Sequence, residues 1–233
     1  MLTLAFETSA KAGSVALLDG KKLLGESYQN TGLTHSQTIM TMAQSLITAC
    51  GYTPQNVQAI AVAAGPGSFT GIRIGVAAAK GFAWGAQIPC YGVSTLEAMA
   101  QNLGVYEGLV VGVMDARRSQ VYTATFRAEK GSLTRITEDR AISLQQLGEE
   151  LTQVQLPVYL VGDGSTLTYH TLSATVPQLV MPAEHKMHQR AAGVGLVAAD
   201  MIAAGLPGNG AELTPNYLRL SQAERERMEK EQK

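Results

Sequence analysis

Val57-Gln58-Ala59-Ile60-Ala61-Val62-Ala63-Ala64, followed by Gly65-Pro66-Gly67-Ser68-Phe69-Thr70-Gly71-Ile72-Arg73-Ile74-Gly75, is the stretch on which the fold turns. Its first half is a nearly continuous apolar run, the pattern of a strand covered on both faces. Its second half is a glycine turn that opens a helix running to about Gly85. Two readings stand for the turn. Free backbone N–H groups at a helix start, together with the helix dipole, make an anion site. Alternatively the glycines serve a tight turn and close packing: Gly71, Gly75 and Ala79 stand four apart and leave a smooth groove for another helix. The spacing is neither a Walker loop, since no Lys-Ser/Thr follows, nor G-x-G-x-x-G, since the third glycine falls one position late.

Toward the N-terminus, Leu2–Phe6 reads as a strand, and Ser14–Leu18 and Lys22–Gln29 flank the hairpin signal Asp19-Gly20. Thr34-His35-Ser36 offers N-cap chemistry to a helix that stops at Gly51. Its apolar stripe is Ile39, Met42, Ala43, Leu46, Ile47 and Cys50, and Met40 widens it beyond one packing face. Toward the C-terminus come a strand at Ile88–Val93 and a capped helix start at Ser94-Thr95-Leu96-Glu97. The plan then restarts near Asn102–Gly108. Leu109–Met114, Gln120–Phe126 and Leu133–Thr137 read as strands, and Ser143–Leu151 as a helix. A strand at Val158–Val161 runs into Gly162-Asp163-Gly164, and an Ala-rich helix spans Gln189–Ala204. Ser221–Lys233 is charged enough to be a solvated or frayed helix. The expectation is an α/β protein of two tandem related units, mixed sheets with helices on their faces, divided into residues 1–103 and 104–233.

Composition bounds the chemistry. The 233 residues carry 18 basic and 19 acidic side chains, a formal charge of -1 that argues against a chain gripping nucleic acid alone. Nine charged residues precede position 104 and 28 follow it, so the first half is expected to be covered by something else. Two cysteines are too few for a disulfide framework or a zinc site. The N-terminus shows no basic leader and no apolar stretch reaches membrane length, which reads as a cytoplasmic protein.

Few residues suit a reactive role. Glu7-Thr8-Ser9 ends the first strand, where a carboxylate can hold a cation-phosphate pair and hydroxyls can bond phosphate; a turn cap is the alternative. Gly162-Asp163-Gly164-Ser165 has the same two readings. His35 sits at a helix start, where capping is the usual role, and Pro182 disfavours a regular metal-binding face for His185 and His188. Arg117-Arg118 is read as a solvated pair in a turn. No catalytic residue and no metal ligand set is assigned.

Phe6-Glu7-Thr8-Ser9, Gly13-Ser14-Val15-Ala16-Leu17-Leu18, His35-Ser36 and Gly65 through Gly75 together resemble the bacterial TsaB (YeaZ) family. Gly92-Val93-Ser94-Thr95-Leu96-Glu97-Ala98, Asp115-Ala116-Arg117-Arg118 and Pro215-Asn216-Tyr217-Leu218-Arg219 continue the likeness along nearly the whole chain. The resemblance implies the actin/hexokinase/heat-shock-ATPase (ASKHA) type of fold. It also implies a non-catalytic role in making threonylcarbamoyladenosine beside the anticodon of tRNAs that read codons beginning with A. The implied partners are a TsaD-like catalytic subunit and a TsaE-like ATPase, with tRNA met only through the complex and a homodimer when the chain is alone. TsaD-like proteins carry a His-x-x-x-His metal pair; read onto this sequence, its positions become Thr95 and Met99, poor ligands for iron or zinc. Glu7 stands where most members have Asp, and its extra methylene is expected to push the carboxylate into the cleft. No cofactor is implied, with weak nucleotide binding left open at Glu7, Thr8, Ser9, Gly65, Gly67, Ser68, Gly162, Asp163 and Gly164. The expected partner contact is Met40, Ile47, Gly71, Gly75, Val76 and Ala79. The alternative is a small ATPase or phosphotransferase using the cleft with Glu7 and Asp115 or Asp163; a peptidase would need metal ligands or a nucleophile–base pair that the sequence does not offer.

Overall fold

Two buried apolar runs and a more polar edge run form an antiparallel meander: β1 (Leu2–Glu7), β2 (Gly13–Asp19) and β3 (Lys22–Gln29). Gly20, at φ 56°, supplies the left-handed residue that the Asp19-Gly20 hairpin needs. α1 (His35–Ala49) leads to β4 (Ala59–Gly65), which lies parallel to β1, and α2 (Phe69–Ala86) leads to β5 (Cys90–Ser94), parallel to β4. The sheet order is β3-β2-β1-β4-β5. α3 (Thr95–Ala100) then carries the chain away. The structure, a computed structural model, describes residues 1–219; the charged stretch Ser221–Lys233 lies outside the described residues.

The second half repeats the winding. β6 (Gly108–Asp115), β7 (Gln120–Glu129) and β8 (Ser132–Arg135) are antiparallel, and β9 (Arg140–Ser143) pairs with the first residues of β7. α4 (Leu144–Thr152) leads to β10 (Val158–Val161), parallel to β6, and α5 (Ser165–Leu172) to β11 (Leu179–Val180), parallel to β10. The order β11-β10-β6-β7-β8 is the order of the first sheet, strand for strand. α6 (Ala191–Ala203) follows. The sequence reading has no counterpart for β9, α5 or β11. β9 and β11 have four and two residues, and α5 (STLTYHTL) is rich in threonine, a weak helix former.

Each sheet is covered on both faces, which is why its central strands are apolar throughout. α1 and α2 pack on one face of the first sheet around Phe6, Ile60 and Val62. α6 packs on the other face, against Ala5, Ala16, Ala61 and Val93. On the second sheet α4 and α5 cover one face, and α3 with the turn that follows it covers the other, with Leu96, Met99 and Leu103 against Val110 and Phe126. The two halves therefore exchange helices. The first sheet ends with β5 at Ser94 and the second begins with β6 at Gly108, but α3 packs on the second sheet and α6 on the first. The helices cross where a Cβ at Gly193 would stand 2.1 Å from the carbonyl oxygen of Ala98, so only glycine fits.

The helix starts follow the sequence except at α1. Ser68, Ser94 and Ser143 accept the N–H of Gly71, Glu97 and Gln146 at 3.2, 3.3 and 3.1 Å. Thr34 makes no side-chain cap; His35 instead reaches back, its Nε2 2.8 Å from the carbonyl of Ala10. α6 starts without a cap of its own and borrows one: Ala191 N–H donates to Ser14 Oγ at 2.8 Å and Ala192 N–H to Glu26 Oε1 at 3.0 Å. Arg190 Nε adds a bond to Glu26 at 2.9 Å. The start of α3 is held from the other side: Arg135 bridges Glu97 and Asp139 at 2.6 and 2.7 Å, and Ser94 donates to Asp139 at 2.6 Å.

Gly193→Ala is expected to lower stability by about 2–4 kcal/mol, because the methyl meets backbone and cannot be relieved by a rotamer change. Gly81→Ala, where nothing lies within 4 Å of the added Cβ, is expected to be neutral or to stabilise by up to about 1 kcal/mol. Urea denaturation of the two variants checks both.

Candidate functional site

The duplicated winding brings four loops to one place. The loops after β1 and β4 in the first half, and after β6 and β10 in the second, all leave the ends of central strands and meet between the sheets, where open α/β folds bind ligands. They enclose a cleft of about 510 Å³ lined by Ser9, Lys11, Ser68, Asp115, Arg117 and Asp163 and by residues 216–219 of the returning chain. Ser9, Ser68 and Asp163, from distant points of the sequence, thus line one cleft, with Glu7 buried behind Ser9.

Several backbone donors of these loops bond to the protein itself. Ser68 N–H bonds the carbonyl of Ser9 at 2.6 Å, and Gly71 N–H is taken by Ser68 Oγ. Gly162 N–H goes to Met187 O at 2.6 Å and Gly164 N–H to Val113 O at 3.1 Å. The glycines are close-approach residues: a Cβ would stand 2.4 Å from Ser9 O at Gly67, 2.5 Å from Asn216 O at Gly65 and 2.1 Å from Val113 O at Gly162. At Gly164 it would lie 3.0 Å from the Met114 backbone. Thr8 also serves packing, donating from Oγ1 to Gly71 O at 2.8 Å and so seating the first turn of α2 on β1. Of the two readings of the Gly65–Gly71 turn, the close approaches at Gly65 and Gly67 are those of packing.

Glu7 does not reach the cleft as expected. Its side chain is fully buried, Oε1 accepts the Ser9 N–H at 2.6 Å, and Oε2 has no hydrogen-bond partner. Burial, opposed by the hydrogen bonds from Ser9 and aided by the charge of Asp163, pushes its pKa up to about 7. The carboxyl of Asp163 is also raised, first by desolvation and against a 3.0 Å hydrogen bond from Gln189. Solvent reaches Asp163 from the cleft while protein surrounds its other sides. Asp115 is bonded to its own turn, accepting Arg117 N–H at 2.7 Å. That turn holds Arg117, Arg118 and Ser119 at φ 62°, 55° and 57° with no glycine, a strained arrangement for which the sequence gives no signal. Among the described residues no three metal-ligating side chains come together. Thr95 and Met99 are both buried, Met99 within the core that α3 forms on the second sheet.

The expected partner contact is corrected by burial. Ile47 is 1% exposed, and Gly71, Gly75, Val76 and Ala79 lie on the inner side of α2. A Cβ at Gly75 would stand 2.2 Å from Thr8 Oγ1, so the Gly71–Gly75–Ala79 row packs on the chain's own sheet. Of the six, only Met40 points outward, 43% exposed. The outward row of α2 is one residue pair away: Ala77, Gly81 and Gly85, with Trp84 80% exposed beside them. α1 contains no charged residue, and the two cations of α2, Arg73 and Lys80, bond to the returning chain at Tyr217 and at the carbonyls of Ala211 and Leu213.

The unfolded chain's Glu titrates near 4.5 whereas buried Glu7 holds its proton to about 7. The folded state therefore binds more protons between these values, and stability falls as pH rises through them. Glu7→Gln is expected to gain about 3 kcal/mol relative to the parent on going from pH 4 to pH 8. Urea unfolding at the two pH values checks this; an equal difference between the proteins at both would show an ordinary carboxylate.

A model of the family described as TsaD, tRNA N6-adenosine threonylcarbamoyltransferase, matches residues 29–226. The tRNA threonylcarbamoyladenosine biosynthesis protein TsaB of Bacillus subtilis is 34% identical over 227 residues, covering 96% of each chain. A crystal structure of a Pseudomonas aeruginosa protein, described as uncharacterized with similarity to peptidase YeaZ, superposes with TM-score 0.77 at 26% identity, over 94% of this chain and 99% of that one. A ROK hexokinase from Thermus thermophilus shares the fold, with TM-score 0.51 at 11% identity over 88% of this chain and 100% of that one. The two sheets of one winding around a cleft are of the ASKHA type, and the chain belongs to the TsaB (YeaZ) family.

Proposed function

We propose that this chain serves the biosynthesis of threonylcarbamoyladenosine in tRNA as a non-catalytic subunit. It docks on and activates a TsaD-like catalytic subunit, helps to recruit a TsaE-like ATPase, and meets tRNA only within that cytoplasmic complex. The observation that carries the reading is the outer face of α1 and α2. It is free of acidic residues, presents Met40, Ala77, Gly81 and Gly85, and leaves the indole of Trp84 80% exposed. Exposed aromatic and apolar groups with few charges are the composition of an interface centre. Small residues at 77, 81 and 85 let a partner helix approach closely, and the same face is self-complementary enough to support a homodimer in isolation.

Two further observations favour a subunit without chemistry of its own. The positions that would hold the metal in a TsaD-like protein are Thr95 and Met99, both buried, Met99 within the core that α3 forms on the second sheet. The loop amides at Ser68, Gly162 and Gly164 bond to the protein itself, which removes three of the donors that a phosphate cradle would draw on.

Gly81→Arg, placed in open space on the outer row, is expected to weaken co-purification with the TsaD-like subunit by about 100-fold or more, and Trp84→Ala by about 10- to 100-fold. Both should leave the circular dichroism spectrum unchanged. Modification of tRNA by the TsaD-like and TsaE-like proteins is expected to need this chain and to fail with Gly81→Arg. A folded Gly81→Arg variant that binds and supports modification like the parent would overturn the docking face.

A further inference from the structure

After α6 the chain does not stop at the first sheet's far face. It wraps around the free edge of β5, crosses α2 and enters the cleft. Leu213 is its anchor: it joins the first-sheet core, where a Cβ at Gly92 would stand 2.3 Å from Leu213 Cδ1. Asn216 N–H bonds Ala64 O at 2.7 Å at the end of β4. Tyr217 stacks on Phe69 with ring centroids 4.5 Å apart, and the Arg73 guanidinium lies 3.9 Å over the Phe69 ring while its Nε donates to Tyr217 Oη at 2.7 Å. Arg219 then donates to the carbonyl of Ala116, across the cleft in the second half.

We propose that residues 209–219 form a detachable strap that closes the cleft, latched by Phe69, Arg73 and Tyr217. The segment has no helix or strand pairing of its own. Its hold on the body consists of one apolar anchor, a few hydrogen bonds and a half-exposed aromatic stack. Segments held in this way open locally at lower free energy than the sheets beneath them. The latch lies on α2, and Lys80 on the same helix bonds the strap carbonyls of Ala211 and Leu213. The helix that presents the outer face therefore also carries the groups that hold the strap down. When the strap lifts, the cleft loses the wall made by residues 216–219, and the Asp115–Ser119 turn loses its tie to Arg219.

The chain contains a built-in reporter. Cys90 is buried on β5 beneath the strap, where a Cβ at Gly210 would lie 3.1 Å from Cys90 Cβ. In a Cys50→Ser background, Cys90 is the single thiol. Its reaction with an excess of a thiol-specific disulfide reagent is expected to speed up by about tenfold in Tyr217→Ala and in Arg73→Gln. The urea midpoint should be unchanged, and the labelling rate should respond only weakly to low urea. Amide hydrogen exchange at Asn216 and in residues 115–120 is expected to rise in step. Equal labelling and exchange in parent and variants would overturn the strap. So would a labelling rate with the steep urea dependence of global unfolding, which would make residues 209–219 an integral part of the core.

Discussion

The crossing of α3 and α6 is the contact on which the rest of this structure depends. Each helix belongs in sequence to one half and packs on the sheet of the other, and they pass where Gly193 faces the carbonyl of Ala98. α1 and α2 cover one face of the first sheet and α4 and α5 one face of the second, so the exchanged helices supply the other face of each. The apolar central strands, β1 and β4 in one sheet and β6 and β10 in the other, require that double cover. Polar ties reinforce the exchange. Ser14 and Glu26 cap α6 from the first sheet, and Arg135 with Asp139 hold the start of α3 from the second.

This arrangement also sets the character of the cleft. The loops at the cleft are brought so close that their backbone donors bond to neighbouring loops: Ser68 to Ser9, Gly164 to Val113. Glu7 is drawn beneath the surface, where desolvation keeps it protonated up to about pH 7. The returning chain adds a wall from residues 216–219. The outer face of α1 and α2 meanwhile carries the exposed indole and the small residues.

Much of the architecture could be read from residue order. The Asp19-Gly20 hairpin, the Ser68, Ser94 and Ser143 caps and the double-covered strand at 59–65 are local signals, and local physics decides them. The side of α2 that faces outward was misread, although the signal was present. Ile72, Val76, Ala79 and Ala83 make one apolar stripe, and Gly71 and Gly75 lie within it, so the glycines had to face the sheet. The burial of Glu7 has no such signal, because its position depends on how Thr8 and Ser9 meet Gly71 and Ser68 at the start of α2, about sixty residues later.

The sequence by itself determined the strands, the helices, the glycine turn and the scarcity of charge in the first half, because propensity, periodicity and capping act over a few residues. Only the tertiary structure decided which helix covers which sheet, where the carboxylates point and what closes the cleft. Those outcomes come from contacts such as Gly193 with Ala98, Arg190 with Glu26 and Tyr217 with Phe69. Their partners stand far apart along the chain, and their geometry exists only once both sheets have formed.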